Sequence, residues 1–332
     1  MKLIYINRES TFPIYKQIIE SIENAIISKK IFRNTKLPSI NKVCIEHKIS
    51  RDTVFMAYED LKRRGIIQAV RSKGYYVKTE DFNFNKRYFL LFDELNSFKE
   101  DLLNSFLEGL NNKVIVDTFF HHFNLEVFRK LILDNLGNYS KYIIMPGNME
   151  GIEEIIDKLP KADVYIIDQM RDSLKKYPGI YQDFIEDIYN AMESSLNILS
   201  KYKEFILIFP GNKEPIDMVN GFVKFCTAYK KKYQIIPDLQ KHSLKKGQLF
   251  LIPNDRQLVE TVEKCKSKNL KIGKDIGIIS YNEMPLKKIV ENGITTLSTD
   301  FYAMGYRLSE MILKNEQIQI KNPSKLYLRN SL

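Results

Sequence analysis

Two short basic segments of the chain hold side chains that suit contacts with nucleic acid. Arg51 and Thr53 follow Ser50 at a predicted helix start. An arginine at such a position could make a bidentate contact to guanine, and a threonine could contact a phosphate or a thymine methyl group. Arg71 and Lys73 lie at the tip of a predicted hairpin, from which positive side chains could enter a minor groove. The two segments predict a surface for double-stranded DNA.

A second group of polar and aromatic residues lies near the ends of predicted β-strands in the rest of the chain. Its members are Asp93, Phe98, Asp183, Asn254, Asp255, Asn282 and Glu283. Planar amides and carboxylates pair with vicinal hydroxyl groups, and an aromatic face packs against a ring. In parallel sheets, ligands bind beyond the carboxyl ends of the strands. The alternative stays open that these residues are caps and turn formers, because Asn and Asp are common at strand-to-helix turns.

The sequence lacks the patterns of a metal, cofactor or catalytic site. Cys44, Cys226 and Cys265 are widely spaced, which favours free thiols in a reducing cytoplasm. His121 and His122 are adjacent on a predicted strand and point to opposite faces, which disfavours a shared metal ion. Nucleophile-elbow, zinc-protease, dinucleotide and phosphate-loop motifs are absent. We therefore expect no metal, no cofactor, no catalytic residues and no enzymatic activity.

The net charge of +10 is concentrated near the start of the chain. Residues 1–80 contain 16 Lys and Arg against 8 Asp and Glu, whereas the remaining residues contain 35 against 33. A basic segment on a near-neutral body is typical of a nucleic-acid-binding protein, with a solvated basic face or a membrane-surface patch as the alternative. No apolar run approaches the ~18 residues of a membrane span, and the first residues lack a secretory-signal layout. We expect a cytoplasmic protein.

The basic segment is predicted to fold as three helices closed by a short hairpin. Apolar residues at helical spacing between 14 and 26 indicate the first helix. Ser39 and Ser50 are the predicted N-caps of the second and third helices. Two short β segments follow within 66–77. This order predicts a winged helix-turn-helix DNA-binding domain over residues 1–78.

The rest of the chain has a different pattern. Residues 79–87 are polar and aperiodic, which predicts a linker. From 88 to 332, short β-rich runs alternate with longer segments of helical periodicity. Such alternation predicts βαβ units and mainly parallel sheets. The predicted fold class is α/β, with a winged helix-turn-helix followed by a domain of two lobes.

Residues 13–77 resemble the DNA-binding domain of GntR-type bacterial regulators. The resemblance rests on 13–18, on Leu-Pro-Ser at 37–39, Ser-Arg-Asp-Thr-Val at 50–54, Ala-Tyr-Glu-Asp-Leu at 57–61, on 65–67, and on Lys-Gly-Tyr-Tyr-Val at 73–77. It implies that Ser39 contacts a phosphate, that Arg51 and Thr53 read the major groove, and that 71–74 form the wing.

This segment departs from the family pattern at two positions. Asn41 stands where the family usually has an arginine, and an asparagine could read adenine or hold a phosphate. Ser72 stands where the wing often has its first glycine. The predicted DNA-contacting residues are Ser39, Asn41, Ser50, Arg51, Thr53, Arg71, Lys73 and Gly74.

Residues 88–332 resemble the effector domain of lac-repressor-type regulators, which is itself similar to periplasmic sugar-binding proteins. The resemblance rests on 165–168, 181–184, 249–255, 273–286, 294–297, 304–305 and 325–329. It implies a two-lobed, effector-binding fold, a sugar as the ligand, and ligand contacts by Asp183, Asn254 and Asn282. The order of the two domains is similar to that of AraR-type arabinose repressors.

Two positions of this second part also depart from the family pattern. Ile216 stands where lac-repressor-type proteins commonly have a sugar-binding arginine, and Asn282 stands where they usually have an acidic residue. A charged clamp is therefore absent from its usual place. We expect either a less polar deoxysugar or a clamp from elsewhere, for example from His121 or His122.

The leading hypothesis is a transcriptional regulator whose affinity for operator DNA is controlled by a small molecule. A pentose or a deoxyhexose is the expected effector, and a homodimer is the expected assembly. Two alternatives remain at this point. One is a GntR-type domain fused to an aminotransferase-like body, and the other is a sensor domain kept only for dimerisation.

Overall fold

Three helices and a hairpin form the first part of the computed structural model, which describes residues 3–8, 13–80, 87–111, 114–211 and 213–332 (for Arg63, the backbone alone). The elements are α1 (Ile14–Ile27), α2 (Ile40–His47), α3 (Arg51–Arg63), β1 (Ile67–Val70) and β2 (Gly74–Val77). Their apolar sides share one core, in which Ile18, Ile22, Val54 and Leu61 are fully buried. We call residues 3–8 and 13–80 the head.

The two predicted N-caps of the head are confirmed. Ser39 Oγ accepts a hydrogen bond from the backbone N–H of Lys42 at 3.2 Å, at the start of α2. Ser50 Oγ accepts one from the backbone N–H of Thr53 at 3.2 Å, at the start of α3. Between these helices, Lys48 adopts a left-handed backbone with φ 51° and ends α2. The helix-turn-helix therefore follows directly from local capping and turn chemistry.

The first lobe is built around a six-stranded sheet in the described part of the chain. Its elements are β3 (Arg87–Phe92), α4 (Ser97–Leu110), β4 (Ile115–Phe120), α5 (Leu125–Asp134), β5 (Lys141–Ile144), α6 (Ile152–Ile156), β6 (Val164–Asp168), β7 (Gly179–Tyr181), α11 (Phe301–Leu313) and β13 (Gln319–Lys321). The strand order is β13-β7-β6-β5-β3-β4, and every pair is parallel. Helices cover both faces, so the central strands are apolar on both sides.

The second lobe has the same layout around its own six-stranded sheet. Its described elements are α7 (Phe184–Ser194), α8 (Leu196–Leu199), β8 (Glu204–Ile208), α9 (Asp217–Ala228), β9 (Lys232–Ile236), β10 (Gln248–Ile252), α10 (Asp255–Ser267), β11 (Ile276–Tyr281), β12 (Thr295–Thr299) and β14 (Ser324–Tyr327). The strand order is β14-β12-β11-β10-β8-β9, and β14 alone among these strands runs antiparallel.

The described chain crosses between the lobes three times: after β7, between β12 and α11, and between β13 and β14. Asn322, in the third crossing, forms hydrogen bonds to the other two. Its backbone N–H donates to the carbonyl oxygen of Tyr181 at 2.8 Å. Its side-chain amide donates to Thr299 Oγ1 at 2.7 Å and to the carbonyl oxygen of Asp300 at 2.8 Å. One buried asparagine thus joins all three segments that link the lobes.

The predicted α/β architecture, with a helical head and two lobes of mainly parallel strands, is confirmed. The predicted linker at 79–87 is one residue too long, because Arg87 already pairs with Ile115 in the sheet. Thr79 and Glu80 lie outside any helix or strand, and 81–86 lie outside the described residues.

Candidate DNA interface and ligand cleft

The exposed face of α3 begins with the residues predicted to read DNA. Arg51 is the first residue of the helix, and its side chain is exposed. Thr53 is half-buried, and its hydroxyl lies 2.7 Å from Ser50 Oγ, so the two hydroxyls form one pair at the helix start. In a helix-turn-helix, the N-terminal end of the second helix meets the base edges. This end of α3 therefore offers one guanidinium and two hydroxyls.

Two large apolar side chains continue this face, and the sequence interpretation missed them. Phe55 is 48% exposed and Met56 is 53% exposed. The neighbouring residues Val54, Ala57 and Tyr58 point into the core of the head, whereas Phe55 and Met56 point towards solvent. Apolar side chains in the major groove pack against the methyl group of thymine. Their absence from the core stripe was a signal available in the sequence.

Ser39 and Asn41 lie at the start of α2, beside α3. Asn41 is exposed, and Ser39 is partly used as the helix cap. Tyr58 is buried in α3 and donates from its hydroxyl to the carbonyl oxygen of Pro38 at 2.8 Å. This bond fixes the start of α2 relative to α3. The polar residues at the start of α2 therefore keep a constant distance from the exposed face of α3.

The wing is the turn between β1 and β2. Arg71 and Lys73 are exposed at its tip. The backbone N–H of Lys73 donates to the carbonyl oxygen of Val70 at 2.9 Å, which closes the turn. Ser72 takes a left-handed backbone with φ 61°, at the position where the family often has glycine. Gly74 has φ 104°, a conformation that side chains rarely adopt.

A cleft of about 590 Å³ lies between the carboxyl ends of the strands of the two lobes. Five of the seven predicted ligand residues line it: Asp93, Phe98, Asn254, Asp255 and Asn282. Asn254 also caps α10, because its Oδ1 accepts from the backbone N–H of Arg256 at 2.9 Å. The cap interpretation and the cleft interpretation thus apply to the same residue.

Asp183 and Glu283 are not among the cleft-lining residues. Asp183 caps α7 through a bond from the backbone N–H of Glu186, and its other oxygen lies 3.3 Å from Lys321 Nζ. Glu283 pairs with both terminal nitrogens of Arg329, at 2.6 and 3.0 Å, and accepts from the hydroxyl of Thr296. Both carboxylates therefore face other partners, as the cap interpretation predicts for Asp183.

The cleft has a buried polar floor, formed by Asp93, Lys99, Asp168 and Gln182, of which the sequence interpretation named only Asp93 as a site residue. Lys99 forms an ion pair with Asp93, and both are nearly inaccessible to solvent. Asp168 Oδ1 accepts from the amide of Gln182 at 2.5 Å. Both Lys99, in the first turn of α4, and Asp168, at the end of β6, line the cleft. Because Asp168 is the last residue of the buried strand β6, its position at the carboxyl end of that strand was the available signal.

Asp168 is the carboxyl group of this floor with a strongly perturbed pKa. Burial raises its pKa from 3.8 to about 6, while the nearby Lys99 ammonium opposes that shift. Burial also raises the pKa of the Tyr281 hydroxyl far above its ordinary value, so it stays protonated. The floor therefore offers both a hydroxyl donor and a carboxyl group that titrates near neutrality.

Asn282 occupies a special position in the cleft. Its backbone is left-handed, with φ 60°, and its N–H donates to the carbonyl oxygen of Leu297 at 2.8 Å. Within the described residues, its side-chain Oδ1 is buried and accepts no hydrogen bond. A buried amide oxygen without a donor is rare in native proteins. This oxygen is therefore suited to accept from a ligand hydroxyl.

Aromatic rings and one interlobe ion pair complete the cleft. Phe98 and Phe301 pack with ring centroids 4.7 Å apart and line the first-lobe side. Lys213 of the second lobe lies 2.5 Å from Glu94 of the first lobe and 5.0 Å from the ring centroid of Phe123. Because both contacts join the lobes beside the cleft, they favour a closed arrangement.

The two histidines suggested as an alternative clamp do not reach this site. His121 is buried, and its Nε2 lies 3.1 Å from the carbonyl oxygen of Met145. Neither His121 nor His122 lines the cleft. Among the described residues, no three His, Cys, Asp or Glu side chains form a group that could hold a metal ion. No helix in the described part of the chain is both long and apolar enough to cross a membrane.

The fold and these two surfaces define a class of protein, in which a winged-helix DNA-binding head precedes a two-lobed α/β domain. Residues 14–77 match the family of bacterial regulatory proteins called gntR, and residues 203–330 match the periplasmic binding protein-like domain. The chain therefore joins a gntR-family DNA-binding domain to a periplasmic-binding-protein-like domain. This second match excludes an aminotransferase-like body as the fold of that part.

Relatives with sequence similarity cover the head. The HTH-type transcriptional repressor YtrA of Bacillus subtilis is 33% identical over 75 residues, which are 23% of this chain and 58% of that protein. The HTH-type transcriptional regulator YhcF of the same species is 30% identical over 69 residues, 21% of this chain and 57% of that protein. The chain thus spans little more than half the length of these relatives.

Solved structures with the same fold cover the two lobes. The trehalose repressor from Escherichia coli aligns with a TM-score of 0.61 and 14% identity, over 73% of this chain and 100% of that chain. A LacI family transcriptional regulator from Silicibacter pomeroyi aligns with a TM-score of 0.64 and 14% identity, over 74% and 98%. At this identity, the likeness establishes the fold alone.

Proposed function

We propose that the protein is a transcriptional regulator whose affinity for operator DNA is controlled by a small ligand bound between its two lobes. In this proposal, residues 1–78 bind DNA and 88–332 bind the effector. The protein acts by binding and not by catalysis. Because its target is chromosomal operator DNA, we expect it to work in the cytoplasm.

The cleft supports a polyhydroxylated ligand. The orphaned Oδ1 of Asn282 is the observation that carries this part of the proposal, because it requires a donor that a ligand hydroxyl supplies. Asp168 and the Tyr281 hydroxyl provide further acceptors and donors on the cleft floor. Phe98 gives an apolar face for the ring. We propose Asp93, Phe98, Asn254, Asp255 and Asn282 as ligand contacts, with Asp168 and Lys99 added to them.

A neutral ligand fits the charges of the cleft better than an acidic one. Ile216 replaces the arginine of related proteins and is 57% exposed, outside the cleft lining. The buried cation that does line the floor, Lys99, is already paired with Asp93. An added carboxylate or phosphate would meet Asp93 and Asp168 at once, whereas a pentose or a deoxyhexose adds no charge. We therefore propose a neutral monosaccharide of one of these classes.

The DNA contacts are assigned to the exposed side of the helix-turn-helix and to the wing. The proposed contacts are Ser39, Asn41, Ser50, Arg51, Thr53, Arg71, Lys73 and Gly74. Six of the eight are exposed, and Thr53 and Gly74 are half-buried. This accessibility, the basic charge of the head and the family match support the assignment. A homodimer is part of the proposal, because two heads at a fixed spacing read two half-sites of an operator.

The test combines DNA selection with ligand titration. Duplexes recovered from a random pool by the full-length protein give the operator, and fluorescence anisotropy gives its affinity. Calorimetry with L-arabinose, D-xylose, L-rhamnose and L-fucose then tests the cleft. A sugar that binds should change operator affinity by roughly 5- to 150-fold, the usual range of allosteric coupling. Selection without enrichment would overturn the DNA assignment, and absence of heat with all four sugars would overturn the ligand class.

A further inference from the structure

Lys287 is a buried lysine on the second-lobe side of the ligand cleft. Its residue surface is only 4% exposed, yet it does not line the cleft itself. It lies in the short 3-10 turn Pro285–Lys288, which follows β11. A buried ammonium group is costly unless it is paired and hydrogen-bonded. The hydrogen-bond partners of the Lys287 ammonium group therefore indicate its structural role.

Those partners belong to two separate loops. Lys287 Nζ donates to the carbonyl oxygen of Tyr281 at 2.7 Å and to that of Asn282 at 2.9 Å, where β11 ends and the loop after it begins. It also lies 2.7 Å from Asp255 Oδ1, where the loop after β10 enters α10. An ammonium group has three donors, and these three contacts use all of them. One side chain thus fastens the carboxyl ends of two neighbouring strands to each other.

Both loops carry residues of the cleft. The loop after β11 presents Asn282, whose backbone has an uncommon left-handed conformation. The loop after β10 presents Asn254 and Asp255. A left-handed backbone costs a non-glycine residue free energy, although less for asparagine than for most others, so contacts that hold it add to its stability. Two carbonyl oxygens bound by one ammonium group provide that restraint directly at Tyr281 and Asn282.

We propose that Lys287 is a positioning residue, which holds Asn282 and the 254–255 loop at a fixed separation so that their side chains meet one ligand together. The inference rests on the proposed ligand cleft but makes a separate statement about ligand-free protein. It assigns the lysine no contact with the ligand. It also predicts that loss of the ammonium group loosens these two loops before it affects the rest of the lobe.

Hydrogen–deuterium exchange of the ligand-free, full-length protein tests the restraint. In Lys287→Met, amides within 253–257 and 281–284 should exchange roughly tenfold faster, because hydrogen bonds to a charged group are lost. Amides of β8 and α9 in the same lobe should keep their rates. Lys287→Arg, which keeps the charge and the donors, should restore slower exchange in both loops.

Lys264→Met is the matched control. Lys264 also donates to a carbonyl oxygen, that of Leu239 at 2.7 Å, and pairs with Glu260 at 2.9 Å, but it does not line or border the two loops. Its loss should leave 253–257 and 281–284 unchanged. If Lys287→Met does not fold, Lys287→Gln replaces it, and faster exchange in the 253–257 loop is then expected. Unchanged exchange in both loops, in whichever variant folds, would overturn the proposal.

A second measurement separates this proposal from the proposed function. For any of the four sugars that binds the wild-type protein, Lys287→Met should raise the Kd at least about tenfold, and Lys264→Met should not. An unchanged Kd in Lys287→Met would overturn the positioning role. If wild-type protein binds none of the sugars, the proposed ligand class fails, while the exchange experiment still decides whether Lys287 restrains the loops.

Discussion

Unlike Asp93 and Asp255 in the same cleft, Asp168 has no cationic partner within hydrogen-bonding distance among the described residues. Asp93 pairs with Lys99 and Asp255 pairs with Lys287, whereas the described contact of Asp168 is the neutral amide of Gln182. The Asp168 carboxyl group is buried, and this burial raises its pKa to about 6, against 3.8 for an ordinary aspartate. A carboxyl group with a higher pKa in the folded chain binds its proton more tightly there than in the unfolded chain.

The raised pKa of Asp168 determines in which direction the free energy of unfolding changes with pH. As the pH rises from about 4 to about 6, the folded state keeps a proton that the unfolded state has lost, so the free energy of unfolding falls. Asp168→Asn should remove this loss and leave the protein up to about 3 kcal/mol more stable than wild type at pH 8, with little difference at pH 4. Denaturant melts at both pH values measure it. Asp134→Asn, at an exposed site, should show no such pH-dependent gain.

Arg51 tests the DNA interface at the level of one side chain. Replacing it with alanine should weaken operator binding by roughly 1–3 kcal/mol and relax base choice at one position, because a bidentate base contact is lost. Arg129→Ala removes the same charge from an exposed site on α5 and should leave both quantities unchanged. Anisotropy titrations with the operator and with single-base variants provide the measurement. Equal affinity and specificity in Arg51→Ala would contradict the recognition-helix assignment.

Residue types after strands predicted much of the cleft but not which way each side chain turns. Asp93, Asn254 and Asn282 were found because the carboxyl ends of parallel strands meet at one edge. Glu283 was included for the same reason, yet it turns to Arg329. That partner is 46 residues away in the chain, so no local pattern reveals it.

At the level of elements, the α7–α9 contact depends on the lack of a side chain at Gly221. A Cβ atom there would lie 2.7 Å from the carbonyl oxygen of Ile185 and 3.0 Å from that of Phe184. These are backbone atoms, which cannot move aside without displacing α7. The two helices of the second lobe therefore pack closer than alanine allows.

Gly221→Ala should lower the free energy of unfolding by roughly 1–3 kcal/mol, as overpacking does. On an exposed helix the same change stabilises by about 0.5–1 kcal/mol, so the sign is diagnostic. Asn220→Ala, at the exposed neighbouring position, is the matched control and should be nearly neutral. Chemical denaturation followed by circular dichroism distinguishes them. A gain in stability in Gly221→Ala would contradict the close packing.

Apolar periodicity indicates most of the strands, but it does not indicate β12. Its sequence, Thr-Thr-Leu-Ser-Thr, is rich in hydroxyls but completely buried. Thr295 and Thr299 donate to the carbonyl oxygens of Arg329 and Pro323, which satisfies their hydroxyls inside the lobe. Polar residues in a fully buried strand give no apolar run, and their partners come from the end of the chain.

At the level of the whole molecule, Asn322 determines how firmly the three crossings are joined. Asn322→Ala removes two side-chain bonds and leaves the buried Thr299 hydroxyl and the carbonyl oxygen of Asp300 without that donor. We expect a loss of roughly 1–3 kcal/mol in the free energy of unfolding. Small-angle scattering should also report a broader distribution of lobe separations.

Asn330→Ala is the control for this prediction. Asn330 also donates from its amide to a carbonyl oxygen, that of Asn292 at 2.9 Å, but it is exposed and lies away from the crossings. Its loss should cost little stability and leave the scattering profile unchanged. If the two variants behave alike, the side chain of Asn322 does not hold the three crossings together.

The crossings have a consequence for the synthesis of the protein. The first lobe lacks α11 and β13 until residues 301–321 have left the ribosome, some time after its strand β7 at 179–181. At about 5–20 residues per second, that delay lasts roughly 7–30 s. During it, the surface of α4 that later packs on Met304, Leu308 and Met311 has no cover. We therefore expect chaperones to bind the nascent first lobe, whereas we expect the head, whose core is contiguous in sequence, to fold as it emerges.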